Sequence, residues 1–201
     1  SLWIVTLMAN LFLAVFYIGD LNFSKIDVSL LDMGFGEASQ TVNPGHTFIE
    51  WKHPKIDHRS LSNGYPLNPK NDENGEWSSL NFDGKFWIAK NSHIGTEHLY
   101  WSVSSGAVFV SNRTTLIVKA RRALGLPISI DRRALTAVVT KTYPCCTERT
   151  GFENVNFLGN AVLKIDPKTL KVERLERNPL YFFPEKCIES EPDWDALAER
   201  L

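Results

Sequence analysis

The feature that most constrains the fold of this chain is an uncharged, almost wholly apolar run over residues 2–19. At about 18 residues, such a run is long enough that a membrane-spanning helix has to be weighed. It is equally typical of two strands buried on both faces, because such strands show no alternation of polar and apolar side chains. The run therefore predicts either a membrane segment or the centre of a sheet.

The composition and flanks of this run favour the sheet. It is rich in β-branched and aromatic residues, and polar Asn10 lies in its middle. No basic residue precedes it and no small-residue cleavage site follows it, as a leader or anchor would require. We predict core strands at 3–7 and 11–18. A membrane-anchored interaction protein, held through residues 2–19, is the alternative.

Three shorter apolar runs lie in the middle of the chain, at 76–81, 85–90 and 107–110. Each is bounded by turn residues, and this spacing predicts consecutive antiparallel strands in a β-meander. Asp83-Gly84 predicts a two-residue hairpin loop, since glycine accepts the positive φ that such a loop needs. Phe82 and Phe86 are then expected to face each other across it.

Local patterns assign the remaining segments. A turn at 43–45 precedes an alternating strand at 46–51, and a turn at 166–169 precedes a last strand at 170–175. Residues 53–76 are rich in proline, glycine and asparagine and predict a loop.

Two helices are predicted after the middle of the chain. The first spans 114–125 and ends at Gly125, which accepts the left-handed cap conformation. The second spans 132–141 and begins after Asp131, whose carboxylate can accept hydrogen bonds from the first free amides. A third short helix is expected over 193–201.

Length and charge limit the class of protein. The 201 residues suit one domain, and a net charge of −1 with scattered basic residues makes nucleic acid an unexpected partner. Adjacent Cys145 and Cys146 and the distant Cys187 form neither a disulfide framework nor a zinc motif. These cysteines favour a cytoplasmic protein.

Several linked motifs resemble the glutaminase-type N-terminal domain of the asparagine synthetase and β-lactam synthetase superfamily. They are Gly-Glu-Trp at 75–77, Ile-Ala-Lys-Asn at 88–91, Ile-Gly-Thr-Glu-His-Leu-Tyr-Trp at 94–101 and Val-Phe-Val-Ser-Asn at 108–112. The order of segments 12–20, 36–39 and 45–50 is similar to carbapenam synthetases, whose N-terminal domain has lost the glutaminase nucleophile. Lys90-Asn91 stands where Arg-Asp is usual in the superfamily.

The resemblance implies an α+β fold, an αββα sandwich of two mostly antiparallel sheets of the N-terminal-nucleophile-hydrolase type, shortened in its middle. Residues 1–188 would form this amidotransferase-like domain, and 189–201 would begin the linker toward a synthetase domain. The pyrophosphate loop of that domain, Ser-Gly-Gly-x-Asp-Ser, is absent from the sequence. The chain is therefore expected to be a fragment, a split subunit or a stand-alone copy.

The function implied is that of a catalytically inactive amidotransferase-like domain or subunit that supports an ATP-dependent, amide-forming synthetase. ATP and Mg²⁺ would belong to that partner, and no cofactor is expected in this chain. The expected partners are the synthetase domain or subunit and a second copy of the chain.

The alternative implied by the resemblance is a residual amidohydrolase. Active members attack glutamine with an N-terminal cysteine whose own α-amine is the general base, and Ser1 holds that place here. Asn63 and Gly64 stand nearest to the family's oxyanion-hole pair, and Arg59 stands near its carboxylate-binding arginine. The surrounding motif is missing, so we expect no glutaminase activity from Ser1, and we interpret Arg59 as a surface charge.

Other polar groups carry simpler interpretations. His53, Asp57 and His58 lack a third ligand at suitable spacing, so no metal site is predicted. Cys145 and Cys146 are interpreted as packed or half-exposed thiols. Four tryptophans on predicted strands are interpreted as core residues: Trp51, Trp77, Trp87 and Trp101.

Basic residues cluster on the two central helices. They predict a basic face that is either solvated or docks on an acidic surface of a synthetase partner. They are Lys119, Arg121, Arg122, Arg132 and Arg133.

Overall fold

The computed structural model describes residues 11–19, 38–51, 61–68, 71–92, 97–139 and 148–177, and of 61–68, 71–76 and 138–139 the backbone alone. These residues form two antiparallel sheets and two helices. The predicted α+β arrangement of two mostly antiparallel sheets is therefore confirmed for this part of the chain.

The first sheet has six strands. They are β1 (Leu11–Tyr17), β2 (Ala38–Asn43), β3 (His46–Trp51), β7 (Tyr100–Ser104), β8 (Ala107–Ser111) and β9 (Asn156–Phe157), in the spatial order β2-β3-β1-β8-β7-β9.

The second sheet has five strands. They are β4 (Leu61–Asn68), β5 (Asn71–Phe82), β6 (Trp87–Asn91), β10 (Ala161–Ile165) and β11 (Val172–Glu176), in the order β11-β10-β6-β5-β4. The helices are α1 (Thr114–Ala123) and α2 (Arg132–Val139).

β1 separates two hydrophobic cores. Successive side chains of a strand point to opposite faces, and both faces of β1 are buried. Leu11, Leu13 and Val15 pack with β8 and with Leu116, Ile117 and Ala120 of α1. Phe12, Ala14 and Phe16 pack against the second sheet, on Leu80, Ala89 and Leu163. The described part thus has three layers, in the order α1, first sheet, second sheet.

The predicted strand over the second half of the apolar run is confirmed by β1. A membrane helix over all of residues 2–19 is wrong, because residues 11–17 form a strand paired with β3 and β8. The strand predicted at 3–7 lies outside the described residues. Neither α1, with 10 residues, nor α2, with 8, could span a bilayer as a helix.

The predicted meander is wrong in its third strand. β5 and β6 pair as expected, but β8 lies in the other sheet, between β1 and β7. All five residues of β8 are buried, with Ala107 and Phe109 toward α1 and Val108 and Val110 toward the second sheet. A strand with two apolar faces needs cover on both, which the middle of a sandwiched sheet provides.

The hairpin between β5 and β6 differs from the predicted two-residue loop. The carboxylate Oδ1 of Asp83 accepts hydrogen bonds from the amides of Lys85 and Phe86, at 2.8 and 2.6 Å, which closes a four-residue turn. Gly84 has the expected positive φ of 98°. Phe82 consequently faces Trp87 rather than Phe86, with ring centroids 5.2 Å apart.

The loop predicted over 53–76 is wrong from residue 61 onward, where β4 and the first half of β5 form a hairpin. Pairing along the hairpin outweighs the turn-prone composition of this segment. Pro66 is tolerated because β4 is the edge strand of its sheet, and the register shifts between Pro66 and Asn68. Residues 53–60 lie outside the described residues.

Both predicted helix caps are confirmed. At the end of α1, Gly125 has a φ of 70°, and the amides of Gly125 and Leu126 donate to the carbonyls of Arg122 and Arg121. Before α2, Oδ1 of Asp131 accepts from the amides of Arg133 and Ala134, at 3.1 and 3.0 Å.

The turns before β3 and β11 and the positions of the tryptophans are also confirmed. Trp51 and Trp77 are buried, and Trp87 and Trp101 pack on the core between the sheets. The remaining predicted elements and thiols lie outside the described residues: 140–141, Cys145, Cys146, Cys187 and 189–201.

The predicted basic face is wrong at Arg121, which is only 3% exposed. Its guanidinium donates through Nη1 to Oγ of Ser102 and through Nη2 to the carbonyl oxygen of Pro127 at 2.8 Å. Burial lowers the pKa of Arg121. Helical periodicity points this side chain at the sheet, whereas Arg122, Arg132 and Arg133 are exposed.

We expect Arg121→Ala to destabilise the protein by about 2–4 kcal/mol, because it removes a buried side chain and leaves the Pro127 carbonyl without its donor. Arg122→Ala is the matched control, and we expect it to change the free energy of unfolding by less than about 0.5 kcal/mol. Urea unfolding of both variants measures the difference. Equal effects would contradict the buried position of Arg121.

Candidate functional site

The two ends of the sandwich differ in chemistry. At one end, the rings of Phe16, His46, Phe48 and Trp87 pack together, with 5.5 Å between the centroids of Phe16 and Trp87. Burial among these rings lowers the pKa of His46. Since Phe16 is near the end of β1 and Trp87 begins β6, the beginning of β1 and the end of β6 lie together at the opposite end.

That opposite end is polar, and strand alternation explains why. Leu80, Ala89 and Val110 face the core between the sheets. Residues two positions away on the same strand or its extension share that face, so the next inward-facing residues are Ser78, Asn91 and Asn112. Together with Ser92 they are completely buried. We call Ser78, Asn91, Ser92 and Asn112 the polar end.

Asn91 links β6 to two other segments of the chain. Its backbone carbonyl accepts a hydrogen bond from Nη1 of Arg177 at 2.6 Å, and its Nδ2 donates to the carbonyl oxygen of Glu97 at 3.3 Å. Among the described residues, no group donates to its side-chain oxygen Oδ1. Asn91 thus joins β6 to the chain entering β7 while keeping one buried acceptor unused.

The two serines beside Asn91 also keep unused hydroxyls. Ser78 is paired with Asn91 across β5 and β6, and the amide of Ser92 donates to the carbonyl of Trp77 at 2.8 Å. Neither hydroxyl has a hydrogen-bond partner within the described part of the chain. A buried polar atom without a partner costs about 1–3 kcal/mol, so three of them in one place call for an explanation.

Hydrogen bonds from β8 fix the beginning of β1 at this end. Oδ1 of Asn112 accepts from the amide of Phe12 at 3.1 Å, and Oγ of Ser111 donates to the carbonyl of Phe12 at 2.6 Å. The same Ser111 oxygen accepts from the amide of Arg113 at 3.1 Å. These bonds fix Phe12, at the beginning of β1, next to Ser111 and Asn112.

The described groups at the polar end favour binding over bond cleavage. A serine hydroxyl becomes a nucleophile when a nearby base accepts its proton. In the parts of the chain that the structure describes, neither Ser78 nor Ser92 is hydrogen-bonded to a histidine or a carboxylate. Hydroxyls and a carboxamide can hold an uncharged polar group such as an amide.

The structure places two of the four predicted site residues beside the polar end. Asn63 and Gly64 lie in β4, opposite Ser78 and Trp77 of β5. Asn63, Ser78 and Asn91 therefore follow one another across three neighbouring strands. Ser1 and Arg59, like His53, Asp57 and His58, lie outside the described residues. Within those residues, no group of three potential metal ligands is present.

Sequence reasoning missed the other members of the site. Ser78, Asn91 and Ser92 carry a weak signal, since each interrupts or ends an apolar face of a strand that is readable from the sequence. The contact of Arg177 carries no local signal, because 86 residues separate it from Asn91.

No family model matches the chain, and no curated protein matches it. The resemblance to amidotransferase domains therefore stays a prediction based on the motifs.

We expect Ser78→Ala to leave stability unchanged or to raise it by up to about 1 kcal/mol, because the hydroxyl it removes is buried and unpartnered. Ser111→Ala is the matched control: also a buried strand serine, it loses two hydrogen bonds, and we expect a cost of about 1–2 kcal/mol. Urea unfolding distinguishes the two. A cost for Ser78→Ala equal to that of Ser111→Ala would mean that Ser78 has a partner.

Proposed function

We propose that this chain is a catalytically inactive amidotransferase-like domain that supports an ATP-dependent, amide-forming synthetase. In this proposal, residues 1–188 form a shortened αββα sandwich of the N-terminal-nucleophile-hydrolase type, and 189–201 begin the linker. The synthetase carries ATP and Mg²⁺, and both proteins act in the cytoplasm. The observation that carries the proposal is a buried polar end, suited to an amide, whose hydroxyls have no base among the described residues.

The position of the polar end supports an amidotransferase-like ancestry. It lies between two antiparallel sheets, where β1 begins, and includes Ser78, the residue opposite Asn63. The resemblance places an oxyanion-hole pair at Asn63 and Gly64. One residue of the expected oxyanion-hole pair thus lies opposite a member of the polar end, which supports the proposal.

The chemistry of the polar end supports the loss of catalysis. Amide hydrolysis needs a nucleophile, a base and donors for the oxyanion at one place. The described residues of the polar end supply hydrogen-bonding groups and the Arg177 guanidinium, but no hydroxyl paired with a base. Such a site can retain a structural or binding role after hydrolysis is lost.

Ammonia release tests the catalytic part of the proposal. The protein with Ser1 as its first residue is incubated with L-glutamine, and ammonia is measured by a coupled glutamate dehydrogenase assay. We expect no release above that of the Ser1→Ala variant. Ammonia release that disappears in Ser1→Ala would contradict the proposal and establish the residual amidohydrolase.

A second measurement tests the synthetase partner. We expect the coding region that continues or adjoins this chain to encode the Ser-Gly-Gly-x-Asp-Ser pyrophosphate loop, and the synthetase domain carrying it to form a complex with this chain in size-exclusion chromatography. The absence of such a reading frame, or two separate elution peaks, would overturn this part of the proposal.

A further inference from the structure

A cavity of about 400 Å³ opens where the two sheets part at one edge. Its described walls come from β7, from the loop before β9 and the first residue of β9, and from the turn before β11 and the first residue of β11. They are Trp101, Val103, Asn154, Asn156, Leu170 and Val172. Its volume lies within the range of small-molecule sites, which runs from about 300 to about 1,000 Å³.

The walls of this cavity combine apolar surface with two carboxamides. Trp101, Leu170 and Val172 are packed on the core between the sheets. Asn154 and Asn156 add amide groups that both donate and accept hydrogen bonds. None of the described lining residues is ionisable, so nothing among them would balance the charge of an ion. The chemistry suits an uncharged molecule with one apolar and one amide-like part.

Backbone strain is concentrated at the same cavity. Asn154 has a φ of 60° and Leu170 a φ of 57°, and they are the two non-glycine residues with positive φ in the described part of the chain. Asparagine tolerates this conformation, but for leucine it is an outlier. Strained residues persist where the surrounding structure holds them, and they cluster at ligand-binding sites.

Hydrogen bonds from α1 and β7 fix the backbone of the strained Asn154. The guanidinium of Arg121 donates to Oγ of Ser102, and Ser102 donates to the carbonyl of Asn154 at 2.6 Å. On the other side of the loop, Oγ1 of Thr150 donates to the carbonyl of Val155 at 2.7 Å. This chain from α1 through β7 fixes the loop before any ligand arrives, as a preorganised site requires.

A separate turn holds Leu170. Its amide donates to the carbonyl of Asp166 at 2.9 Å, while the Asp166 carboxylate accepts from the amides of Lys168 and Thr169, at 2.8 and 3.3 Å. A glycine would adopt this φ at no cost. Leucine instead supplies a wall of the cavity.

We propose that this cavity binds a small uncharged molecule that carries a carboxamide beside an apolar group the size of an aliphatic side chain. The carboxamide pairs with Asn154 and Asn156, and the apolar group lies against Trp101, Val103 and Leu170. The cavity is separate from the polar end, and this site does not depend on the function proposed above.

Titration with N-acetyl-L-leucinamide, followed by ¹H–¹⁵N correlation spectra, tests the proposal. We expect saturable shifts of the Trp101 indole N–H and of the Asn154 and Asn156 side-chain amides. A dissociation constant on the order of millimolar is expected for about a dozen non-hydrogen atoms. Free L-leucine, which is zwitterionic, should bind at least about tenfold more weakly. The Trp101 signal is assigned with Trp101→Phe.

Asn154→Gly is the decisive variant, because it removes the carboxamide, relieves the positive φ and keeps the carbonyl that Ser102 contacts. We expect an unchanged or higher melting temperature together with binding at least about tenfold weaker. Unchanged binding by this variant would overturn the proposal, as would the absence of saturable shifts at the three named residues of the wild-type protein.

A pair of strand valines provides a further control. Val103, in the cavity wall, and Val42, on edge strand β2, are 44% and 56% exposed. We expect Val103→Asp to abolish binding of the amide and Val42→Asp to leave it within about twofold of wild type. An equal loss in both variants would contradict a site at this cavity.

Discussion

Burial of β1 on both faces is the constraint on which the rest of the described structure depends. No water reaches the middle of this strand, so its backbone groups must pair with protein on both sides, and β3 and β8 provide those partners. Its side chains point alternately to two apolar cores. One core requires α1 as cover and the other requires a second sheet. The burial of both faces of this seven-residue strand therefore requires three layers.

Within the described part of the chain, the polar end and the cavity are two places where local groups lower stability. At the polar end, Ser78, Asn91 and Ser92 are buried without using all their hydrogen-bonding atoms. At the cavity, Leu170 occupies a conformation that glycine would adopt more readily. Such local costs are expected where a chain keeps groups for a purpose other than stability. Burial of the core around β1 stabilises the fold enough to offset these costs.

Structural features are predictable from the sequence when the contacts that cause them join residues a few positions apart. Gly125 and Asp131 end and begin helices through hydrogen bonds to residues a few positions away, so their roles were correctly predicted. The alternation in β3 was equally clear. β8 was assigned to the wrong sheet because its partner β1 lies about 100 residues earlier in the chain, and no local pattern records that pairing. Composition misled the prediction at β4, where antiparallel pairing outweighs proline and glycine.

The candidate sites were also predictable only where local sequence carries the signal. Motif resemblance predicts Asn63 and Gly64 as site residues, and the strand register sets Asn63 opposite Ser78, a residue that no motif indicates. The charge of Arg121 predicts a basic surface, whereas the helical face that carries this residue turns it toward the sheet. Asn154 and Leu170 carry no sequence signal, since positive φ at these residue types is visible only in the folded backbone.

Amide hydrogen exchange measures the central claim, that β1 is the buried middle of a sandwich, most directly. If both cores close on this strand, the amides of Leu13, Ala14 and Val15 exchange only through global unfolding and are among the slowest in the protein. The amides of edge strand β2 exchange much faster. Exchange of the β1 amides as fast as those of β2 would contradict the account.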